Sequence, residues 1–266
     1  MDSLKVEVAR FCSAHRLRLD TEKSQHFLVD ASVLRTIVGS ARIAPDDHIV
    51  EIGPGIGVLT RELLKVAGSV TAIEVDSRLA ALINEFLRCF PLTASRFQLS
   101  IIECNALNTA MPQTPYKIVA NIPYHITSPL LRHLFLESET KPSSLTLLLQ
   151  REVAEKICDT ENAGMLTILV GLFGKPGIVA FVPPSAFLPP PKVDSAVLHI
   201  ECFDQPATDI ETMERIFTLT KATFSQKRKM LRNTLPADIL AKAGIDPVRR
   251  PQTLSIGEWI RLAQRE

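Results

Sequence analysis

The sequence predicts an α/β fold, a doubly wound and mainly parallel sheet followed by a small all-helical domain. Three observations carry that expectation. Short runs rich in β-branched residues alternate with stretches whose apolar residues recur at helical spacing. Gly53, Gly55 and Gly57 stand where the first such run passes into the first helical stretch. Beyond the proline-containing segment "FDQPATD" (203 to 209) the pattern is helical to the end.

The strand candidates are "HIVEIG" (48 to 53), "SVTAIEVD" (69 to 76), "FQLSIIEC" (97 to 104), "YKIVAN" (116 to 121) and "SLTLLLQ" (144 to 150). Between them lie helical stretches such as "VLTRELLKVAG" and "SRLAALINEFLRCF". Strand, helix and strand repeated in this way make a parallel sheet covered on both faces. Two further candidates, "GIVAFV" (177 to 182) and "SAVLHIEC" (195 to 202), flank the proline-rich "PPSAFLPPPKVD". Their connection is too short for a helical crossover, so an antiparallel addition to the sheet is expected. With "FDQPATD" read as a linker, the domains are expected at 1–203 and 204–266. No internal repeat or low-complexity tract is found.

A chain of 266 residues, 46% hydrophobic and 22% charged, can bury a sizeable core and has the composition of a soluble globular protein. Charged, polar or proline residues interrupt even "GMLTILVGLFGKPGIVAFVPP", so no apolar run reaches the roughly 18 residues a membrane span needs. The N-terminus "MDSLKVEVARFCSAHRLRLD" has no signal-peptide pattern, and a cytoplasmic protein is expected. Cys12, Cys89, Cys104, Cys158 and Cys202 are scattered and never spaced C-x-x-C, as reduced thiols are, so neither a disulfide framework nor a metal site is expected. The net charge of +1 conceals an asymmetry. Residues 209–266 carry eleven Lys or Arg against seven Asp or Glu, a net +4, which leaves −3 on the rest. Such a division points to nucleic acid at the C-terminal part.

The glycine turn in "EIGPGIGVLTREL" lets the backbone bend tightly and approach a ligand, although a tight turn in any α/β protein uses the same residues. A dinucleotide fingerprint would need glycine at position 58, which is Val58. Glu74 ends the second strand twenty-one residues after Gly53, where a carboxylate can accept both hydroxyls of a ribose. Asp76 projects to the same side and is a weaker candidate for that role. Asn105, at the end of the third strand, stands where a polar side chain can meet an adenine amino group. The chain has no Walker lysine at its glycine turn, so a nucleoside ligand without phosphates is expected, and S-adenosylmethionine is the favoured one.

In "VANIPYHITSPLL" (119 to 131) an amide, a proline and an aromatic ring follow a strand directly. Asn121, Pro123 and Tyr124 there suit a strand end with a turn and a helix breaker. They also suit a site that handles a planar base.

Together "EIGPGIGVLT", "AIEVD", "NIPYHITSPLL", "FLPPPKVDSAV" and "FSQKRKMLRNTL" resemble the KsgA-type ribosomal RNA adenine N6,N6-dimethyltransferases of the small subunit, in ordered motifs over about residues 23 to 235. The erythromycin-resistance methyltransferases of large-subunit RNA and the mitochondrial transcription factor B proteins share much of the pattern. The resemblance implies a Rossmann-like class I methyltransferase domain that uses S-adenosylmethionine. By matched position the cofactor residues are His26, Leu28, Gly53, Gly55, Glu74, Asn105 and Asn121. Two departures are Ser24, where the family has Gly, and Asn105, where it has Asp. An amide oxygen still accepts from the adenine amino group, without charge assistance.

The implied chemistry gives "NIPY" its role. The adenine N6 lone pair is delocalised into the ring, and acceptors for the two N–H bonds pull the amino group toward tetrahedral geometry. The Asn121 oxygen and the Ile122 or Pro123 carbonyl suit that need, and Tyr124 can stack on the extruded base. Phe187 in "FLPPPKV" is the expected second ring, or else a buried aromatic beside a stiff polyproline segment. Gln25 and Phe27 are read as packing residues of the N-terminal segment, His125 and His133 as structural or exposed, and Trp259 as core of the small domain. Lys221, Lys227, Arg228, Lys229 and Arg232 form a charge run, read as phosphate contacts in preference to a solvated helix face. The implied partner is small-subunit ribosomal RNA, within a pre-ribosomal small subunit, bound by a monomeric enzyme. Two alternatives remain at this stage, a resistance-type enzyme of large-subunit RNA and a mainly non-catalytic assembly or transcription factor.

Overall fold

Successive side chains of a strand point to opposite faces, so a strand buried without interruption is covered on both. "SLTLLLQ" is such a strand, with every residue but Gln150 buried. It belongs to a computed structural model that describes residues 3–20, 25–89 and 98–264. Ser24, Phe90 and Phe97, which enter the expectations above, lie outside the described residues.

The N-terminal segment forms α1 (Leu4–Ala14), the two-residue β1 (Phe27–Leu28) and α2 (Ala31–Ser40). Asp30 caps α2 by accepting from Ser32 N at 2.8 Å and Val33 N at 3.2 Å. The alternation then begins with β2 (His48–Ile52), α3 (Val58–Leu63), β3 (Ser69–Glu74), α4 (Ser77–Cys89) and β4 (Gln98–Glu103). It continues with β5 (Lys117–Asn121), α5 (Thr127–Arg132) and β6 (Ser144–Gln150). Two helices follow, α6 (Arg151–Cys158) and α7 (Met165–Phe173), then β7 (Gly174–Val182), the short β8 (Phe187–Leu188) and β9 (Ser195–Cys202). The last helices are α8 (Ile210–Phe224), α9 (Ala237–Ala243) and α10 (Ile256–Gln264).

The main sheet has seven strands in the order β4-β3-β2-β5-β6-β9-β7. The pairs β3–β4, β2–β3, β2–β5 and β5–β6 are parallel, and β9 adds antiparallel to β6, as expected. The edge strands β4 and β7 alternate exposed and partly covered residues, whereas β2, β5 and β6 are buried runs. β1 and β8 pair antiparallel, Phe27 with Leu188 and Leu28 with Phe187. Phe11 of α1 meets Phe86 of α4 edge-on at 5.1 Å, so the first helix packs into the same core as the sheet.

The chain divides into two compact units, residues 1–154 with 177–201 and residues 155–176 with 202–266. A single cut at 203/204 leaves α7 in the first domain, whereas its packing is with the second unit. The reason is that "MLTILVGLF" is apolar almost all round and needs enclosure. Backbone bonds provide the ties: Ala163 N to Gln252 O at 2.9 Å, Phe203 N to Phe173 O at 2.8 Å and Ala207 N to Leu172 O at 2.8 Å. Trp259 is fully buried in this unit, with the Phe224 ring 6.0 Å away.

α8 ends at Phe224, so the segment carrying the charge run is not one helix. Thr223 and Ser225 return their hydroxyls to the carbonyls of Leu219 and Ala222, at 2.9 and 2.6 Å, which weakens helix continuation. The chain then turns, with Lys229 N bonded to Gln226 O at 2.8 Å, and buries Leu231.

Candidate active site

β2 and β5 lie side by side, yet the chain leaves β2 for β3 on one side and continues from β5 to β6 on the other. Where a parallel sheet reverses in this way, the carboxyl ends of the two strands open a crevice. Those ends here are the Gly53 turn and Asn121. Gly53 has φ 68°, and a Cβ on it would stand 3.4 Å from Pro123 Cδ and 3.8 Å from the Asn121 main-chain oxygen. Gly55 has φ 63°, and a Cβ there would meet Phe27 Cε1 at 2.7 Å, closer than side chains pack. Both positions need glycine for conformation, and Gly55 needs it for space as well. The cavity at the crevice is about 1060 Å³ and is lined by His26, Leu28, Glu51, Gly53, Gly55, Glu74, Asp76, Asn105, Asn121, Ile122, Pro123, Tyr124 and Phe187, among others.

Glu74 is 5% exposed, and its two oxygens accept from Gly55 N and Asp76 N, each at 2.9 Å. Burial pushes its carboxyl above the ordinary range, against the pull of those two backbone bonds. The bonds aim a rigid acceptor across the glycine turn. Asp76 is the contrasting case: bonds from the Arg78 guanidinium, and then from Gln25, hold it down to about 2 despite partial burial. Gln25 Nε2 donates to Asp76 Oδ2 at 3.0 Å and Gln25 Oε1 accepts from Asp20 N at 2.8 Å, so the N-terminal segment is tied to the end of β3.

Glu51, in the middle of "VEIGPG", was not singled out from the sequence. It is 1% exposed, accepts from Thr60 Oγ1 at 2.6 Å, and burial pushes it to about 8, with the Glu74 charge adding to the rise. It therefore keeps its proton at neutral pH. The available signal was an acidic residue inside an otherwise apolar buried strand directly before the glycine turn, where an unpaired charge is costly.

At the other lip, Asn121 Nδ2 donates to the His26 main-chain oxygen at 3.2 Å. Among the described residues no donor is bonded to Asn121 Oδ1, so the amide is held with an acceptor to offer. His26 Nδ1 donates to Pro189 O at 2.8 Å, and its ring lies 6.4 Å from that of Tyr124 at 23°. The Tyr124 hydroxyl bonds to Ser195 Oγ at 2.7 Å. Burial raises the phenol above its ordinary range, so it stays neutral. Pro123 O accepts from Ile126 N at 3.1 Å, and Ile122 N donates to Leu148 O at 3.2 Å.

The structure thus brings His26, Leu28, Gly53, Gly55, Glu74, Asn105, Asn121, Pro123, Tyr124 and Phe187 to one cavity. Phe187 is buried in β8 opposite Leu28, so its ring is positioned by strand pairing. Asn105 Oδ1 already accepts from Leu107 N at 3.0 Å, capping a short turn, and has one lone pair left for a ligand. His133 is engaged by Glu137 and by Thr109 O, each at 3.0 Å, in agreement with a structural role. Lys221, Lys227, Arg228, Lys229 and Arg232 do not line the cavity. They are exposed on the second unit, Lys221 at the end of α8 and the others on the turn beyond it.

The chain resembles known proteins along nearly its whole length. The family model for ribosomal RNA adenine dimethylase matches residues 16–265. A relative from Dehalococcoides mccartyi named ribosomal RNA small subunit methyltransferase A is 38% identical, over 98% of this chain and 92% of its own length. One of the same name from Moorella thermoacetica is 37% identical over 91% and 90%. Among solved structures, a dimethyladenosine transferase from Plasmodium falciparum superposes with a TM-score of 0.75 at 26% identity, covering 88% of this chain and 94% of that one. The 23S rRNA methyltransferase ErmE superposes with a TM-score of 0.73 at 27% identity, covering 90% and 98%. The crevice at the sheet reversal and these matches along the whole chain lead to one conclusion: the chain belongs to the ribosomal RNA adenine dimethylase family.

Proposed function

We propose that the protein transfers methyl groups from S-adenosylmethionine to N6 of two adjacent adenosines near the 3′ end of small-subunit ribosomal RNA, as a monomer acting on the pre-ribosomal small subunit in the cytoplasm. The observation that carries this reading is the meeting, at one crevice, of a buried carboxylate with an uncharged amide and aromatic pair, Asn121 and Tyr124. The carboxylate, Glu74, suits a ribose diol, and the pair suits a neutral planar base.

The residues present fit the cofactor. Glu74 keeps lone pairs beyond its two backbone bonds, Gly53 and Gly55 present main chain without side chains, and Asn105 offers an amide at the end of β4. Bound S-adenosylmethionine supplies an electrophilic methyl group on a sulfonium. Asn121 Oδ1 and Ile122 O accept the two N–H bonds of the adenine amino group, so the N6 lone pair is withdrawn from the ring and becomes nucleophilic. Tyr124, fixed through Ser195, stacks on the extruded base, and Phe187 bounds the cavity near it. The methylated ammonium is acidic enough to release its proton to water, so no side chain has to act as base beforehand. An uncharged Asn121 also suits a second transfer, since a monomethylated amino group still has one N–H to donate.

RNA affinity in this reading comes from the exposed cations Lys221, Lys227, Arg228, Lys229 and Arg232, which meet phosphates without reading sequence. The likeness to ErmE keeps large-subunit RNA as a second reading, but 27% identity there against 38% to small-subunit relatives favours the first. Unmethylated small and large subunits incubated with the protein and S-adenosylmethionine, followed by primer extension, test the choice. Stops at two adjacent adenosines of the small subunit alone are expected. Methylation of the large subunit supports the second reading, and methylation of neither overturns the enzymatic one.

A further inference from the structure

We propose that Phe181, with Arg151 packed on its ring, is a platform on which a base neighbouring the extruded adenosine stacks. The inference rests on the RNA reading above and extends it to a surface outside the cavity.

Phe181 is the next-to-last residue of β7, an edge strand, and is 54% exposed. A single exposed apolar side chain is ordinary on a protein surface, and what sets Phe181 apart is the cation packed on its ring. The Arg151 guanidinium carbon lies 4.4 Å from the Phe181 ring centroid, within cation–π range. Arg151 is also held from below: its N donates to Asp194 O at 3.0 Å, and its Nη1 lies 3.8 Å from Asp194 Oδ2. The result is a planar cation and a planar ring fixed together at the surface, both of which stack on nucleobases in a sequence-tolerant way.

Its position connects the platform to the crevice. Arg151 directly follows Gln150, which pairs with Ser195 in the β6–β9 register. Ser195 Oγ is the atom bonded to the Tyr124 hydroxyl. One strand pair, Ser195 with Gln150, thus separates the base-stacking ring of the cavity from the Arg151–Phe181 pair, and both lie at the end of β6 where Asn121 pairs with Leu148. A base pulled out of its stack leaves its neighbours without a partner, and an aromatic surface beside the pocket gives one of them a replacement. The nearby charges in sequence balance, Arg151 and the exposed Lys192 against Asp194 and Glu152, so the affinity proposed for this surface comes from stacking and not from charge.

The test uses unmethylated small subunits as substrate and the variants Phe181→Ala and Phe181→Trp. The expected result is a KM for subunits raised about tenfold in the alanine variant, from loss of one stacked base, with kcat, S-adenosylmethionine affinity and thermal midpoint unchanged. Tryptophan, with a larger stacking face, should keep the wild-type KM. A KM that does not move in the alanine variant, or a tryptophan variant no better than alanine, overturns the proposal. In a second measurement, p-benzoylphenylalanine at position 181 is irradiated on the subunits. An adduct to ribosomal RNA within a few nucleotides of the methylated adenosines is expected; an adduct only to a ribosomal protein or to remote RNA contradicts it. Failure of the underlying RNA reading is distinguishable, because the wild-type protein would then methylate no small subunits at all.

Discussion

Asn121 and His26, 95 residues apart in the chain, are joined by one hydrogen bond of 3.2 Å from the Asn121 side-chain nitrogen to the His26 main-chain oxygen. His26 in turn reaches Pro189 O through its ring at 2.8 Å. Three segments, the end of β5, the N-terminal strand and the proline-rich stretch after β8, are thereby fixed around one amide. In the proposed reaction the same amide that orders the walls of the crevice presents its oxygen to the base, which would couple structure and chemistry at this residue.

Glu74→Ala is expected to weaken S-adenosylmethionine binding by about 1–3 kcal/mol through loss of charge-assisted bonds to the ribose. The substitution also removes the acceptor for Gly55 N and Asp76 N, so a lower thermal midpoint should accompany it. Calorimetric titration of the folded variant is the measurement. An unchanged affinity would remove Glu74 from the site.

Glu51 predicts a pH dependence with a definite sign. Its carboxyl is raised to about 8 by burial, whereas in the unfolded chain it ionises near 4.5. Between those values the folded state holds a proton that the unfolded state has released, so this group's contribution to stability falls as pH rises across the window. Glu51→Gln cannot ionise and loses nothing. Its stability relative to the wild type should therefore increase from pH 5 to pH 8, by at most about 4 kcal/mol. Denaturant titrations at both pH values show whether it does; a constant difference would mean that Glu51 is already ionised in the fold.

Lys227, Arg228 and Lys229 all replaced by Ala should weaken RNA binding and reduce the slope of log affinity against log salt by about 0.7–0.9 for each phosphate no longer neutralised. Cofactor affinity should not change, because none of the three lines the cavity. A slope equal to the wild type would show these charges to be merely solvated.

The parts of the fold that were legible are those in which one local pattern settles the structure. β6 and β9 begin and end where the apolar-rich runs at 144–150 and 195–202 do, because an inner strand covered on both faces is written as a nearly continuous apolar run, as β6 is throughout and β9 over its first half. The pairing of Phe27 with Leu188 could not be read in that way. It spans two residues in each strand, and only the tertiary fold brings them together. The grouping of α7 with the second unit was hidden for a related reason: its partners, such as Ile256 against Gly171, come much later in the chain. At the site, the glycines and strand-end polar residues were readable from position alone, because a parallel sheet collects its carboxyl ends. Glu51 escaped because its significance is its burial, which no spacing reveals. The turn after Phe224 escaped because Leu231, not the intervening charges, decides where the chain goes.

In the proposed reaction Asn121 activates the adenine amino group, and single-turnover methylation by Asn121→Ala at saturating RNA and S-adenosylmethionine isolates that role, since binding and product release are then removed from the rate. The loss of the bond to His26 should cost the fold about 1 kcal/mol, which a thermal midpoint measured in parallel will register. The predicted result is methyl transfer abolished or severely reduced in a folded variant that keeps most of its RNA affinity, because that affinity is spread over many phosphate groups. Transfer at the wild-type rate would remove Asn121 from the chemistry and leave "NIPY" as a strand end and a proline turn.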